Sequence, residues 1–222
     1  DYAALHRASI SNPTAFWAKA AEGIDWARRW DSVLEQPDPA TYRWFSGGKL
    51  NTCFNALDRH VQGGRADQVA IIHDSPVTNS QRKISYGELL GEVELFAGVL
   101  AANGIGKGDR VIVYMPMIPE AIIAVLACAR LGAVHSVVFG GFAAAELATR
   151  IDDATPKLIV SASCGIEPAR LVEYKPLLYE AIELAKYKPE RCVILQRPQA
   201  QAALIERRDI DWHRAMASAR PH

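Results

Sequence analysis

Residues 110–142 read RVIVYMPMIPEAIIAVLACARLGAVHSVVFGGF, and this stretch decides the fold. Arg110-Val111-Ile112-Val113-Tyr114-Met115 is apolar at odd and even positions alike. A strand with one wet face would alternate, so the pattern predicts a strand buried on both sides. Pro119 suits the first turn of a helix, where its missing N–H costs no hydrogen bond, and Glu120 lies at the positive end of the helix dipole. That helix runs to about Leu131, and Val134 to Phe139 is the next buried strand. Strand, helix, strand over so short a span is a crossover unit, which pairs its two strands in parallel.

Working outward, the same alternation continues. Downstream come a helix from about Ala143 to Asp153, a strand Lys157–Ala162, a helix from Leu171 to about Lys186 and a strand Cys192–Gln196. Upstream, Gln68-Val69-Ala70-Ile71-Ile72-His73 is a strand candidate. Ser85-Tyr86-Gly87-Glu88 is a capping box, in which Ser85 and Glu88 satisfy each other's free amides. Behind it Leu89, Leu90, Val93, Phe96, Ala97 and Leu100 share one helical face, and Gly104 closes the helix. The fold class expected is α/β, with a doubly wound, mostly parallel sheet covered on both faces. From Arg197 onward the chain turns polar and no clean element is read.

Residues 1–50 differ. They hold Trp17, Trp26, Trp30 and Trp44 of the five tryptophans, and three prolines. Residues 14–30 suit one amphipathic helix or two short ones, and Gln36-Pro37-Asp38-Pro39 reads as irregular. The expected organisation is a helical, Trp-rich arm over 1–50, packed on a body over 51–222 that is an incomplete α/β subdomain.

Lys plus Arg equals Asp plus Glu, 25 each, and no block of like charge occurs. An electrostatic nucleic-acid binder should carry a basic excess, so that class is excluded. Cys53, Cys128, Cys164 and Cys192 have no C-x-x-C spacing, which argues against a zinc knuckle or a redox pair and fits a reducing, cytoplasmic setting. The apolar run Ala121–Ala129 is too short to span a bilayer. The chain begins at Asp1 without a signal peptide and reads as trimmed at the front.

In open α/β sheets, ligands bind beyond the carboxyl ends of the strands. Two junctions stand out. Val138-Phe139-Gly140-Gly141-Phe142 puts two glycines between a strand and a helix. They could admit a ligand to the backbone amides, with the phenylalanines stacking on a flat ring, or form a turn with two core aromatics. Ser163-Cys164-Gly165-Ile166-Glu167-Pro168-Ala169-Arg170 leaves one strand and enters the next helix. Arg170 could grip a phosphate there or sit solvated near a helix start. Gly104-Ile105-Gly106-Lys107-Gly108-Asp109 follows a helix and precedes a strand, the reverse of a phosphate loop, and reads as a helix stop and turn. His60, His73 and His135 lack metal spacing and read as structural. There is no G-x-S-x-G elbow, no Ser-His-Asp set and no G-x-x-x-x-G-K-[ST].

At Tyr114–Glu120 and Leu126–Phe142 the residues resemble the AMP-forming acetyl- and propionyl-CoA synthetases, and Asn51–His60, Ala70–Pro76 and Ile84–Tyr86 agree. Asp74–Thr78 and Gly165–Arg170 look more like the propionyl members. The resemblance implies a ligase that uses ATP with Mg and CoA. A carboxylate, acetate or propionate, attacks ATP to form an acyl-adenylate, and the CoA thiol then displaces AMP. It further implies that Phe139, Gly140 and Gly141 border the CoA adenine, and that Glu167, Pro168, Ala169 and Arg170 lie against its ribose and 3′-phosphate. Acetyl members often carry two arginines in that second loop; here Glu167 replaces the first, which favours Arg170 for the phosphate and a ribose hydroxyl for Glu167. The family's Ser/Thr/Gly-rich, lysine-ending ATP loop, its acyl pocket and its C-terminal lysine are not among these 222 residues. The expectation is therefore a catalytically silent N-terminal fragment whose missing partner is the rest of its own chain. The alternative, from another class, is a free-standing CoA-binding or scaffold module, and a flavodoxin-like domain is disfavoured for want of its phosphate signatures.

Overall fold

The computed structural model describes residues 1–140, 143–168 and 170–222, with every side chain among them except that of Phe139. The chain divides into two compact units, Asp1–Asn55 and Ala56–His222.

The first unit opens with α1 (Tyr2–Ser11) and α2 (Pro13–Ala20). Asp1 and Asn12 cap them through their side chains, accepting from Ala4 and Ala15 amides at 2.8 and 3.0 Å. The expected helices are present, but they make up only the first part of the segment. Helix stops by Gly23, and an antiparallel hairpin follows, β1 (Ser32–Asp38) and β2 (Thr41–Ser46). Gln36-Pro37-Asp38-Pro39, read as irregular, forms the end of β1 and the start of the turn. The Asp38 carboxylate accepts the Ala40 amide at 2.9 Å and holds that turn. The aromatic residues decide this arrangement. Trp26, Trp30 and Phe45 pack mutually at 5.0–5.4 Å between ring centroids, and Trp17 meets Trp44 edge-on.

In the second unit, short helical segments up to Arg65 lead into an antiparallel hairpin, β3 (Val69–Ser75) and β4 (Ser80–Ser85). The capping box forms as expected and starts α3 (Tyr86–Ala102): Glu88 accepts the Ser85 amide at 2.7 Å, and Ser85 Oγ accepts the Glu88 amide at 3.2 Å. Then come β5 (Arg110–Met115), α4 (Pro119–Leu131), β6 (Val134–Phe139), α5 (Ala144–Ala154) and β7 (Leu158–Ala162). A second small hairpin follows, β8 (Cys164–Glu167) and β9 (Arg170–Glu173), then α6 (Tyr174–Leu184), β10 (Arg191–Leu195), β11 (Asp209–Asp211) and α7 (Trp212–Ser218).

Five strands make one sheet in the order β11-β10-β7-β5-β6, every neighbouring pair parallel. Ile112, Tyr114, Ile159, Cys192 and Ile194 turn to one face, against Leu147 and Ile151 of α5 and Leu178 and Ile182 of α6. The alternate residues Val111, Val113, Val160 and Val193 are equally buried on the other face, where α3 packs against α4 and α7. Phe96 of α3 stacks on Trp212 of α7 with centroids 3.9 Å apart. Strands apolar on both faces thus meet helices on both, as their composition required. From β5 the chain moves outward to β6 through α4, then doubles back across β5 to β7 through α5. Adjacent strands β5 and β7 therefore send their chains to opposite faces, which opens a crevice at their carboxyl ends.

Two corrections concern this unit. Ser163–Arg170 is not a loop running into a helix; most of it is the β8–β9 hairpin, and α6 starts only at Tyr174. The polar tail after Arg197 supplies the fifth strand and a capped helix. Its strand is short and acidic, and it holds because Asp209, with a fully buried side chain, meets Lys175 Nζ at 2.8 Å and Arg208 Nε at 3.1 Å.

Candidate functional site

The crevice is a cleft of 550 Å³. Met115, Pro116, Met117 and Ile118 line it from the loop after β5, and Gly140 from the loop after β6. Gly165, Ile166 and Glu167 come from the β8–β9 hairpin after β7, Tyr174 from the start of α6, and Arg197 from the loop after β10. His73 to Val77, at the end of β3, close one side.

Tyr174 forms its floor. The ring is 6% exposed and stacks on Tyr114 with centroids 4.9 Å apart at 25°. A Cβ on Gly165 would lie 2.7 Å from its Cε1, and one on Gly140 would lie 2.8 Å from its Cζ. Both glycines are bare because Tyr174 fills the space. The room that the missing Cβ of Gly140 leaves is taken by a tyrosine. Burial raises the Tyr174 hydroxyl above the ordinary phenol range, with Glu167 adding to the rise and Arg197 opposing it.

Ser163 organises this floor. Its carbonyl accepts the Tyr174 amide at 3.0 Å, its amide donates to Leu195 O at 2.8 Å, and its Oγ accepts the Arg197 amide at 2.9 Å. The ends of β7 and β10 and the start of α6 are thereby pinned to one buried residue. Arg197 is half-buried, and its Nη1 donates to Cys164 O at 3.1 Å.

Glu167 and Arg170 face each other across the hairpin, with Nε to carboxylate 2.7 Å. Arg170 is 70% exposed along its side chain and does not line the cleft, whereas Glu167 does. The pairing holds the Glu167 carboxyl below the usual carboxylate range and raises Arg170. Pro168 lies in the hairpin turn. Gly141, Ala169 and the side chain of Phe139 lie outside the described residues.

Of the expected residues, then, the structure brings Gly140 and Glu167 into one cleft, and turns Arg170 away from it onto Glu167. Tyr174 and Arg197 also line the cleft and were not singled out, and His73, read as structural, lines it too. No motif marks them, and Arg197 sits in the tail read as structureless. A groove of 620 Å³ beside β11 carries Arg191, Arg207 and Arg214. It borders the amino end of β10, and it includes Glu206, Asp209 and Asp211, so its charges largely offset.

A doubly wound sheet with a cleft at its topological switch point defines an α/β domain of the ligand-binding kind. The chain belongs to the AMP-binding enzyme family, which matches residues 57–221, and the acetyl-coenzyme A synthetase N-terminus family matches residues 2–56. It is 51% identical over 223 residues to the mitochondrial acyl-CoA synthetase short-chain family member 3 of Rattus norvegicus, covering 100% of this chain and 33% of that one. It is 43% identical over 212 residues to the propionate–CoA ligase of Salmonella typhimurium, covering 96% and 34%. The solved acetoacetyl-CoA synthetase from Streptomyces lividans superposes with a TM-score of 0.87 at 25% identity, over 99% of this chain and 33% of that one. The chain thus spans about a third of the length of the relatives it matches. Among the described residues, no helix is long and apolar enough to cross a membrane.

Proposed function

We propose that this chain is the N-terminal part of an ATP-dependent, AMP-forming acetate/propionate–CoA ligase, and that its cleft receives the nucleotide end of CoA. The observation that carries this reading is the cleft itself. It opens where the loops after β5 and β7 diverge, and Gly140 and the β8–β9 hairpin line it. Family membership supplies the chemistry. A carboxylate oxygen bonds to the α-phosphorus of ATP, delivered with Mg, and pyrophosphate leaves; the CoA sulfur then bonds to the acyl carbon, and AMP leaves. The residues here would bind and orient CoA: Phe139, Gly140 and Gly141 near its base, the Glu167–Arg170 hairpin near its ribose and phosphate.

Adenylation needs fixed positive charge around the α-phosphate as charge builds there. The 222 residues contain no Ser/Thr/Gly-rich loop ending in lysine. We therefore place adenylation on other residues and take this chain alone to be silent, with the remainder of the enzyme as its partner. Four buried cysteines, none in a disulfide among the described residues, suit a reducing compartment, here the cytoplasm.

Calorimetry with CoA, and a pyrophosphate-release assay with propionate, ATP and Mg, test the two halves. CoA should bind with no pyrophosphate released. Turnover by the chain alone would refute its silence, and absence of CoA binding would refute the cleft assignment.

A further inference from the structure

We infer that Arg197, together with the Tyr174 hydroxyl, is the anion clamp of the cleft and takes a phosphate of the bound ligand, in place of Arg170. The inference deepens the CoA reading and rests on it.

The argument begins with charge. Asp74, Glu167 and Arg197 line the cleft and Arg170 stands beside it; Asp74, on the β3 side, accepts from Gln81 Nε2 at 2.9 Å. Glu167 and Arg170 neutralise each other at 2.7 Å. An arginine already paired with a carboxylate offers an incoming phosphate little net attraction, and prising the two apart would leave Glu167 facing the anion. Arg197 differs. Its side chain meets Cys164 O at 3.1 Å and no carboxylate within ion-pair distance among the described residues. Most of its donors therefore remain available, at a half-buried position that water screens less than the exposed Arg170.

Position supports charge. Arg197 and Tyr174 are both tied through their backbones to Ser163, whose Oγ and carbonyl accept from them at 2.9 and 3.0 Å. Neither depends on a flexible loop tip for its placement. Gly140, Gly165 and Tyr114 box the Tyr174 ring, and the described structure gives its hydroxyl no hydrogen-bond partner. A fixed hydroxyl donor and a fixed guanidinium in one cleft suit the oxygens of a phosphate.

CoA carries two candidate groups, the 3′-phosphomonoester and the pyrophosphate, and dephospho-CoA separates them. The test is calorimetry of CoA and dephospho-CoA on the wild type and four variants. R197Q should weaken CoA about tenfold or more, as expected for loss of a charge-assisted contact. R197K, which keeps charge without the fork, should fall between R197Q and wild type. Y174F should lose about threefold, the worth of a neutral hydrogen bond. E167Q/R170Q, which removes both charges of the neutral pair, should lose less than R197Q does. A loss confined to CoA assigns the 3′-phosphate, and an equal loss for both ligands assigns the pyrophosphate.

R197Q should also flatten the salt dependence of binding, a readout that misfolding does not mimic. Wild-type affinity in R197Q and R197K would overturn the inference while leaving the CoA site standing, as would a larger loss in E167Q/R170Q than in R197Q. Failure of the wild type to bind either ligand would overturn both.

Discussion

Replacing Gly165 by Ala should destabilise the protein through Tyr174. Gly165 does not occupy positive φ, so its backbone tolerates a side chain and only space is at issue. The added Cβ would lie 2.7 Å from Tyr174 Cε1 and 2.8 Å from Cζ and the hydroxyl. That is about 0.7 Å inside ordinary carbon contact. The ring cannot easily retreat. It is 6% exposed, Tyr114 stacks behind it at 4.9 Å, and Gly140 borders the hydroxyl. Overpacking of this kind costs about 1–3 kcal/mol. Tyr174→Ala alone should cost about 3–5 kcal/mol by the precedent of large aromatic deletions. In the Y174A background, however, G165A meets no ring, and stiffening of the unfolded chain should make it stabilising by about 0.4–1 kcal/mol. Urea unfolding followed by far-UV circular dichroism, run as a double-mutant cycle, should return a coupling of about 1.5–4 kcal/mol, the difference of those two effects. An equal cost for G165A in both backgrounds would refute the claim that Tyr174 is the reason for the glycine.

Further predictions rest on separate features. Arg130 Nη1 donates to both oxygens of Asp58 at 2.9 Å, while Nη2 reaches Glu94 at 3.1 Å and Nε reaches His222 O at 2.6 Å. Arg130→Ala strands a carboxylate that is 12% exposed and should cost about 3 kcal/mol in urea unfolding, with R130K milder. Burial pushes the Cys128 and Cys192 thiols up to about 12. All four cysteines are buried, and for that reason they should stay silent to Ellman's reagent in the native protein and react only on unfolding. Because these thiols are raised in the folded state, the protonated form favours folding. Their contribution is complete below the ordinary thiol value of 9.0 and is lost as pH rises from there towards about 12. The urea midpoint should fall over that range, less steeply in Cys128→Ala.

What was legible in the sequence follows from how local its cause is. Doubly apolar strands such as Val111–Met115, the Ser85–Glu88 capping box and Pro119 at a helix start are local signals, and each formed as read. The β8–β9 hairpin was misread because Gly165–Arg170 has no turn pair that separates a hairpin from a loop, and the cross-strand Glu167–Arg170 contact that closes it emerges only in the fold. The first hairpin was missed for a similar reason: its cause is the packing of Trp26 and Trp30 on Phe45, which no short window contains. The tail reads as polar with no clean element, and only the non-local pairing of Asp209 with Lys175 explains a buried strand there. The cleft shows the same division. Gly140 was singled out by its position after a strand, but its neighbour Tyr174, 34 residues later and equally responsible for the floor, carried no motif. Arg197 escaped notice because its importance lies in what it does not pair with.

The most direct test of the account is an amide chemical-shift map of the protein titrated with CoA. The cleft assignment requires the largest shifts at Gly140, Gly165 to Glu167, Tyr174 and Arg197. Shifts centred on Arg191, Arg207 and Arg214 would move the site to the groove beside β11 and contradict the account, as would a map that CoA leaves unchanged.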